Sequence, residues 1–299
     1  IQDRVNCGLP AFPSFGASPQ ANDAALTYPA QPNATNQMNP GPPLGLLAKT
    51  YKGSLDRFGS LVAGEGLIFQ GQRNATGLEQ GLGGKSVYLQ SYNATTGESS
   101  WAPFVQQIHD KNVSTLFWIG DERNAAALIQ AMSTASQFPK IFITSPNIYT
   151  PTFPKLAAQY ASGHVYTYAL NVPFNEAGPG GVMKQYLKIK DKYAPGTPND
   201  ALAVNAFSNW LLFAQSAKAC GSNLTRKCLA EQGAKTTSWD AGGLQVTTNP
   251  GQNQISDCSV LMKLGSKGFT RVAPKTGFGC SQKWIVSLPS LGLGAKAKS

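Results

Sequence analysis

The chain is poor in the groups with which enzymes most often do chemistry. Only two histidines, His109 and His164, stand among its 299 residues, and charged side chains make up 13%. No GxSxG elbow is present, neither histidine has a fitting Ser or Cys partner in sequence, and no acid–base pair stands at a telling spacing. The shortage favours binding over catalysis. No cysteine pair has CxxC spacing or a nearby histidine, so neither a metal nor another cofactor is expected. No apolar run reaches the ~18–20 residues that a membrane span needs. The first residues, IQDRVNCGLP, lack a Met, a charged n-region and an apolar h-region, so a signal peptide is either removed or was never there.

What is present describes a globular chain. A hydrophobic fraction of 41% can fill real cores, and 299 residues suffice for two domains of ordinary size. The formal charge of +10 is spread along the sequence. Its densest cluster, KQYLKIKDK, alternates basic residues with Tyr186, Leu187 and Ile189, as on the solvated face of an amphipathic helix. No nucleic-acid surface is expected from it. Cys220 lies near Cys228 and Cys258 near Cys280, which favours two local disulfides and an oxidising compartment. Cys7 is left over. The tail GLGAKAKS reads as a flexible end.

Along the chain, the first forty-odd residues are rich in Pro and Asn and read as extended loop, with at most one short strand around 11–15. From Leu44 the pattern becomes regular. Helix LGLLAKTYKG, strand RFGSLVAG and helix GLIFQGQRNATGLEQ come first. Strand KSVYLQSYN, helix WAPFVQQIHDKN, strand VSTLFWIG, helix ERNAAALIQAMSTA, strand KIFIT, helix PTFPKLAAQYA and strand HVYTYAL follow. Trp101, Phe104, Val105 and Ile108 fall at i, i+3, i+4 and i+7, and Ala125, Leu128, Ile129 and Met132 repeat that spacing. Alternation of this kind predicts an α/β fold with a parallel, doubly wound sheet. After Leu170, GVMKQYLKIKDKYAPG, ALAVNAFSNWLLFAQSAKACG and LTRKCLAEQ read as three successive helices. The second should bury Val204, Phe207, Leu211 and Ala214. GGLQVTTNP, SDCSVLMKLG and GFTRVAP read as short strands.

GLGGKS, 81–86, imitates a phosphate-binding loop, but Glu79 stands where that motif needs its first glycine. A helix also precedes it and a strand follows, so it reads as a helix C-cap and turn. In open α/β sheets, ligands sit beyond the carboxyl ends of the strands. Those ends carry Glu65, Ser91-Tyr92-Asn93, Asp121-Glu122 and Ser145-Pro146-Asn147-Ile148-Tyr149, a hydrogen-bonding rim suited to a small polar ligand. Asp121 and Ser145 serve equally well as helix N-caps or turn residues.

The passages VYLQSYNATTG…WAPFVQQIHDKNVSTLFWIGDERNAAALIQAM and PFNEAGPGGVMKQYLKIKDKYAPGTPNDALAVNAFSNWLLFAQSAKACG resemble the type I periplasmic solute-binding proteins, most of all the branched-chain amino-acid receptors of ABC transporters. The resemblance implies two doubly wound (Rossmann-like) lobes joined by a hinge, with a ligand held between them. Residues 1–43 then correspond to the end of lobe one and the first crossover, 44–170 to lobe two, 171–234 to returning helices of lobe one, and 235–299 to hinge strands and closing elements. Lobe one is expected to be incomplete, leaving apolar helix faces exposed. The implied function is that of a non-enzymatic extracytoplasmic receptor, periplasmic or on the extracellular face of the envelope (in the parent protein, with or without a lipid anchor). Its implied partners are a small molecule, an amino acid or related amide, and a membrane permease. Implied ligand contacts are Asp121, Ser145, Asn147 and Tyr149, then Glu65 and Glu122. Where amino-acid receptors place a carboxylate for the ligand's ammonium, Asn147 stands here. The alternatives are a signalling ectodomain of the same fold and, more remotely, a doubly wound hydrolase.

Overall fold

A computed structural model describes residues 1–16 and 18–289; the tail GLGAKAKS lies outside the described residues. Three helices open the chain: α1 (Gln2–Asn6), α2 (Pro19–Asn22) and α3 (Gly41–Thr50). Strands and helices then alternate as β1 (Phe58–Ala63), α4 (Ile68–Gly77), β2 (Ser86–Tyr92), α5 (Ala102–Asp110), β3 (Thr115–Ile119), α6 (Glu122–Ala135), β4 (Ile141–Thr144), α7 (Phe153–Ala157) and β5 (Val165–Ala169). Helices α8 (Val182–Tyr193), α9 (Ala201–Cys220) and α10 (Arg226–Lys235) follow without a strand. The strands β6 (Cys258–Gly265), β7 (Gly268–Ala273) and β8 (Gly279–Cys280) come last.

The eight strands of the described residues form one sheet in the order β2-β1-β3-β4-β5-β6-β7, with β8 on β6. The first five are parallel, and β6, β7 and β8 join antiparallel. The doubly wound sheet expected from the alternation is therefore present, extended by strands from the far end of the sequence. Parallel strands are apolar on both faces because crossover helices cover both. In β3 all five residues are buried: Leu116 and Trp118 point into one core, Phe117 and Ile119 into the other. Leu61 against Phe58 and Val62, and Phe142 against Ile141 and Ile143, alternate likewise. Trp118 anchors the first core, stacked on Tyr92 with ring centroids 4.5 Å apart and near Trp101 at 5.9 Å. Helix α4 runs into a wide turn over Leu78–Leu82 and stops at Gly83, whose φ of 73° is left-handed. GLGGKS is thus the helix end and turn that the sequence predicts.

A third, smaller core lies between α8, α9 and irregular chain; Met183, Tyr186, Val204, Leu212, Trp239 and Leu244 meet there. Here the structure departs from sequence expectation. Helix α9 buries Val204 but also Asn205, Ser208, Asn209, Leu212 and Ser216, while Leu211 and Ala214 are exposed. The buried stripe mixes polar with apolar residues, and Asn209 and Ser208 use it to hold partners in irregular chain. Asn209 Oδ1 accepts from the Ala30 N–H at 2.8 Å, and Ser208 Oγ accepts from Trp239 Nε1 at 2.9 Å. The Ala30 carbonyl in turn accepts from Gln245 Nε2 at 2.8 Å and Thr248 Oγ1 at 2.7 Å. Beside Val204 and Leu212, which enter the core, other apolar residues of α9 face outward, with Trp210 69% exposed. Smaller corrections follow the same logic. GGLQVTTNP makes only isolated bridges, Asn171 to Gln245, Trp239 to Thr248 and Asn249 to Gln254, and turns the Gln245 and Thr248 side chains to the Ala30 carbonyl. Ala11 pairs once, with Thr27, and α7 is only Phe153–Ala157.

Two disulfides close, Cys220–Cys228 and Cys258–Cys280, and Cys7 is free and exposed. No helix of the described residues is long and apolar enough to cross a membrane. Trp118→Ala should destabilise the fold by about 3–5 kcal/mol through the cavity it leaves, whereas Trp210→Ala should change stability by less than about 0.5 kcal/mol. Urea denaturation of the two variants beside the parent chain measures both; equal losses would contradict the assignment of core and surface.

Candidate functional site

The carboxyl ends of β3, β4 and β5 open into a cavity of about 310 Å³. Its floor is the second core: Phe117 and Ile119 of β3, Tyr168 of β5 and Leu170 just beyond. The opposite wall is the loop chain around 14–40 together with the first turns of α9. That wall has little secondary structure of its own, and buried polar side chains fix it. Besides the three that hold Ala30, Arg73 of α4 is 1% exposed and donates through Nη2 to the carbonyls of Ala34 and Gln37. Burial pushes the Arg73 pKa down, to about 10, against the opposing influence of Asp23, so it stays a cation at neutral pH.

The chemical character of the lining is uniform. Among the described residues, no Asp, Glu, Lys, Arg or His borders the cavity, whereas seven side-chain amides do: Gln31, Asn33, Asn39, Gln70, Asn147, Asn171 and Asn205. Several amides have an orientation fixed by partners that can only accept. Asn147 Nδ2 donates to the Gly120 carbonyl at 2.8 Å, and Asn171 Nδ2 to the Val172 carbonyl at 2.8 Å. Asn33 Nδ2 faces the Gly16 carbonyl at 3.3 Å, so its Oδ1 receives Asn39 Nδ2 at 2.8 Å. Tyr168 is raised well above the usual phenol range by burial, so its hydroxyl is neutral as well.

The corner after β4 brings two of the residues read from sequence to this cavity, Ser145 and Asn147. Ser145 Oγ donates to Asn147 Oδ1, which sets the amide's second face. The other four stand beside the cavity rather than on it. Asp121 is the N-cap of α6, accepting from the N–H groups of Arg123 at 3.0 Å and Asn124 at 2.9 Å, and from the Tyr92 hydroxyl at 3.0 Å. Glu122 accepts from Thr150 Oγ1 at 2.7 Å. Tyr149 is buried against Phe174, whose N–H donates to its hydroxyl at 3.0 Å. Glu65 is exposed and accepts from Ser91 Oγ. His164 lies at the amino end of β5, away from the cavity, stacked on Phe138 at 5.0 Å. His109 is exposed at the end of α5.

Sequence reading missed Gln31, Asn33, Asn39, Gln70, Asn171 and Asn205 as lining residues. Asn171 follows β5 within two residues, so the strand-end rule applied to HVYTYALN finds it. Asn205 lies mid-helix, and Gln31 and Asn39 lie in Pro-rich loop; nothing local separates them from other surface amides.

Partial burial of the Asp121 carboxyl opposes its ionisation, but the hydrogen bonds from Asn124 and Tyr92 outweigh that and hold it below the ordinary carboxylate range. A depressed folded pKa contributes stability that is present above the unfolded value, about 3.9, and lost as pH falls through the folded one. Asp121→Ala should therefore cost about 0.5–2 kcal/mol near pH 7, as a lost cap does. The deficit should shrink as pH drops below 4, which thermal melts of parent and variant across pH 3–7 would show. A deficit independent of pH would mean the ionised cap contributes nothing.

Comparison with known proteins agrees with this architecture. A model of the family described as periplasmic binding protein matches residues 69–269. No curated protein matches the chain in sequence. Among solved structures, a leucine-binding protein from Thermotoga maritima superposes with a TM-score of 0.70 at 14% identity, covering 91% of this chain and 74% of its own. A branched-chain amino acid ABC transporter protein from Thermus thermophilus with bound valine gives 0.71 at 12%, covering 95% and 75%. An ABC transporter solute-binding protein from R. palustris in complex with 4-hydroxybenzoate gives 0.69 at 16%, covering 97% and 75%. At these identities the structures speak for the fold, and the family match runs from within α4 through β2–α5, β3–α6, β4–α7 and β5 to helices α8–α10 and strand β6. The chain belongs to the periplasmic binding protein family.

Proposed function

We propose that this chain is the solute-binding component of an ABC importer, working outside the cytoplasm and capturing a small polar ligand, an amino acid or a related amide, without turning it over. The cavity at the carboxyl ends of β3, β4 and β5 carries this reading: it is enclosed on one side by an apolar floor and on the other by convergent amides. Concave sites of this composition hold and orient small molecules. Among the described residues the cavity has hydrogen-bonding groups but no nucleophile paired with a base. Its Ser145 hydroxyl is turned to Asn147, and both histidines stand elsewhere. The related structures hold valine in one case and 4-hydroxybenzoate in another, which supports solute capture as the shared activity while leaving the solute to each protein's own lining.

In this reading Ser145 and Asn147 contact the ligand. Asp121, Glu122 and Tyr149 hold the corner that presents them, and Glu65 stands at the outer rim. Ligand bridging the sheet ends and the facing wall stabilises the closed arrangement of the two, and the membrane permease recognises that arrangement. The ligand shifts a population by binding one form better.

Isothermal titration calorimetry against amino acids, small amides, urea-like compounds and organic acids tests this. A ligand at a hundredfold excess over its Kd should stabilise the fold by about 2.7 kcal/mol. Asn147→Leu should abolish the heat while leaving the unliganded melting temperature within a few degrees. Failure of every class to bind the folded chain would refute solute capture, and conversion of a bound compound to product would point to an enzyme.

A further inference from the structure

The cavity's lining carries more information than its shape. We infer that the ligand is an uncharged molecule with a hydrogen-bonding amide or urea group on a compact apolar body, and that the site discriminates against zwitterionic amino acids and carboxylates; this rests on the cavity being the solute site.

Charge is the first argument. A buried ammonium or carboxylate needs an opposite charge, or a dense set of hydrogen bonds, to offset its loss of water. Among the described residues no ionisable side chain other than Tyr168 borders this cavity, and burial keeps the Tyr168 hydroxyl protonated. The nearest acidic corner is already engaged: Asp121 receives four hydrogen bonds, from Arg123 N–H, Asn124 N–H, Asn124 Nδ2 and Tyr92 Oη. Arg73, behind the loop wall, is committed to the Ala34 and Gln37 carbonyls. A charged ligand entering here would meet only dipoles.

The second argument is complementarity. Each primary amide offers two N–H donors and an oxygen with two lone pairs. Asn171 gives one N–H to Val172 and keeps its oxygen free of protein partners, while Asn147 retains one lone pair beyond the bond from Ser145. Asn205 is the telling residue. It is 7% exposed and borders the cavity with a side-chain amide that neither floor nor wall engages. No hydrogen bond links its side chain to any described residue. A buried polar group left unsatisfied costs stability, so such groups are rare and call for a partner. A ligand amide or urea brings N–H donors for the free oxygens and a carbonyl for the remaining N–H groups. The apolar floor of Phe117, Ile119 and Leu170 receives a hydrocarbon body.

The test uses ligands of one shape and different charge. Calorimetry of the described protein against 4-methylpentanamide, 4-methylpentanoate and leucine keeps the branched body and varies only the polar end; benzamide and benzoate repeat the comparison with a ring. The amide of each set should bind at least tenfold more tightly than its charged counterparts. Asn205→Leu should weaken the amide at least tenfold, with an unliganded melting temperature equal to or above the parent's, because the substitution removes an orphaned amide. Leucine or a carboxylate binding as tightly as the matched amide would overturn this inference while leaving solute capture intact. Undiminished amide binding by Asn205→Leu would also overturn it. If no compound of either charge class bound, both the inference and the function it rests on would fall.

Discussion

A sheet covered on both faces leaves a protein few places for polar chemistry, and that constraint governs this one. The five residues of β3 are buried, and their side chains divide between two apolar cores. Any charged or hydrogen-bonding group placed along these strands would have to be satisfied inside hydrocarbon. Polarity therefore collects where the strands stop. At the carboxyl ends the chain passes through Gly120, Ser145, Asn147 and Asn171, and the cavity lies against these positions.

The facing wall is built on a different principle. The chain around 14–40 has almost no ladder hydrogen bonds to hold it, so side chains take over the work of pairing its backbone. Ala30 shows this most clearly: its N–H and carbonyl are both buried, and Asn209, Gln245 and Thr248 satisfy them from positions some two hundred residues away. Arg73 does the same for Ala34 and Gln37. Such polar supports are directional and cannot slide as an apolar contact can. They hold an irregular segment in one conformation against the sheet, so the cavity has a defined shape from two dissimilar walls.

The same division explains what could be read from the sequence. The alternation of β-branched and aromatic runs with i, i+3, i+4 stripes shows in the sequence, and α6 runs over Glu122–Ala135 as its pattern indicates. The two disulfides were legible from spacing, since each joins cysteines close in the chain. Helix α9 misled, because its apolar residues suggested a buried face through Leu211 and Ala214. Its inward neighbours are backbone groups needing partners, so Asn and Ser turn inward and Trp210 turns out. The corner after β4 was legible as a polar strand end. Asp121 and Ser145 illustrate the limit of that rule, for both follow strands, yet one caps a helix and the other borders the cavity.

By itself, then, the sequence determined the α/β class, the order of the elements and the local cross-links, because hydrophobic periodicity and short-range spacing are properties of adjacent residues. Only the tertiary structure decided that β6 and β7 extend the sheet, that α9 turns Asn205, Ser208 and Asn209 inward beside Val204 and Leu212, and that Gln31, Asn39, Asn171 and Asn205 share one cavity without a charge among them. These residues come from two places in one loop stretch, a strand end and a helix. Nothing in the local sequence of any of them specifies the other three, since what brings them together is the burial of a sheet and the satisfaction of a backbone far away in the chain.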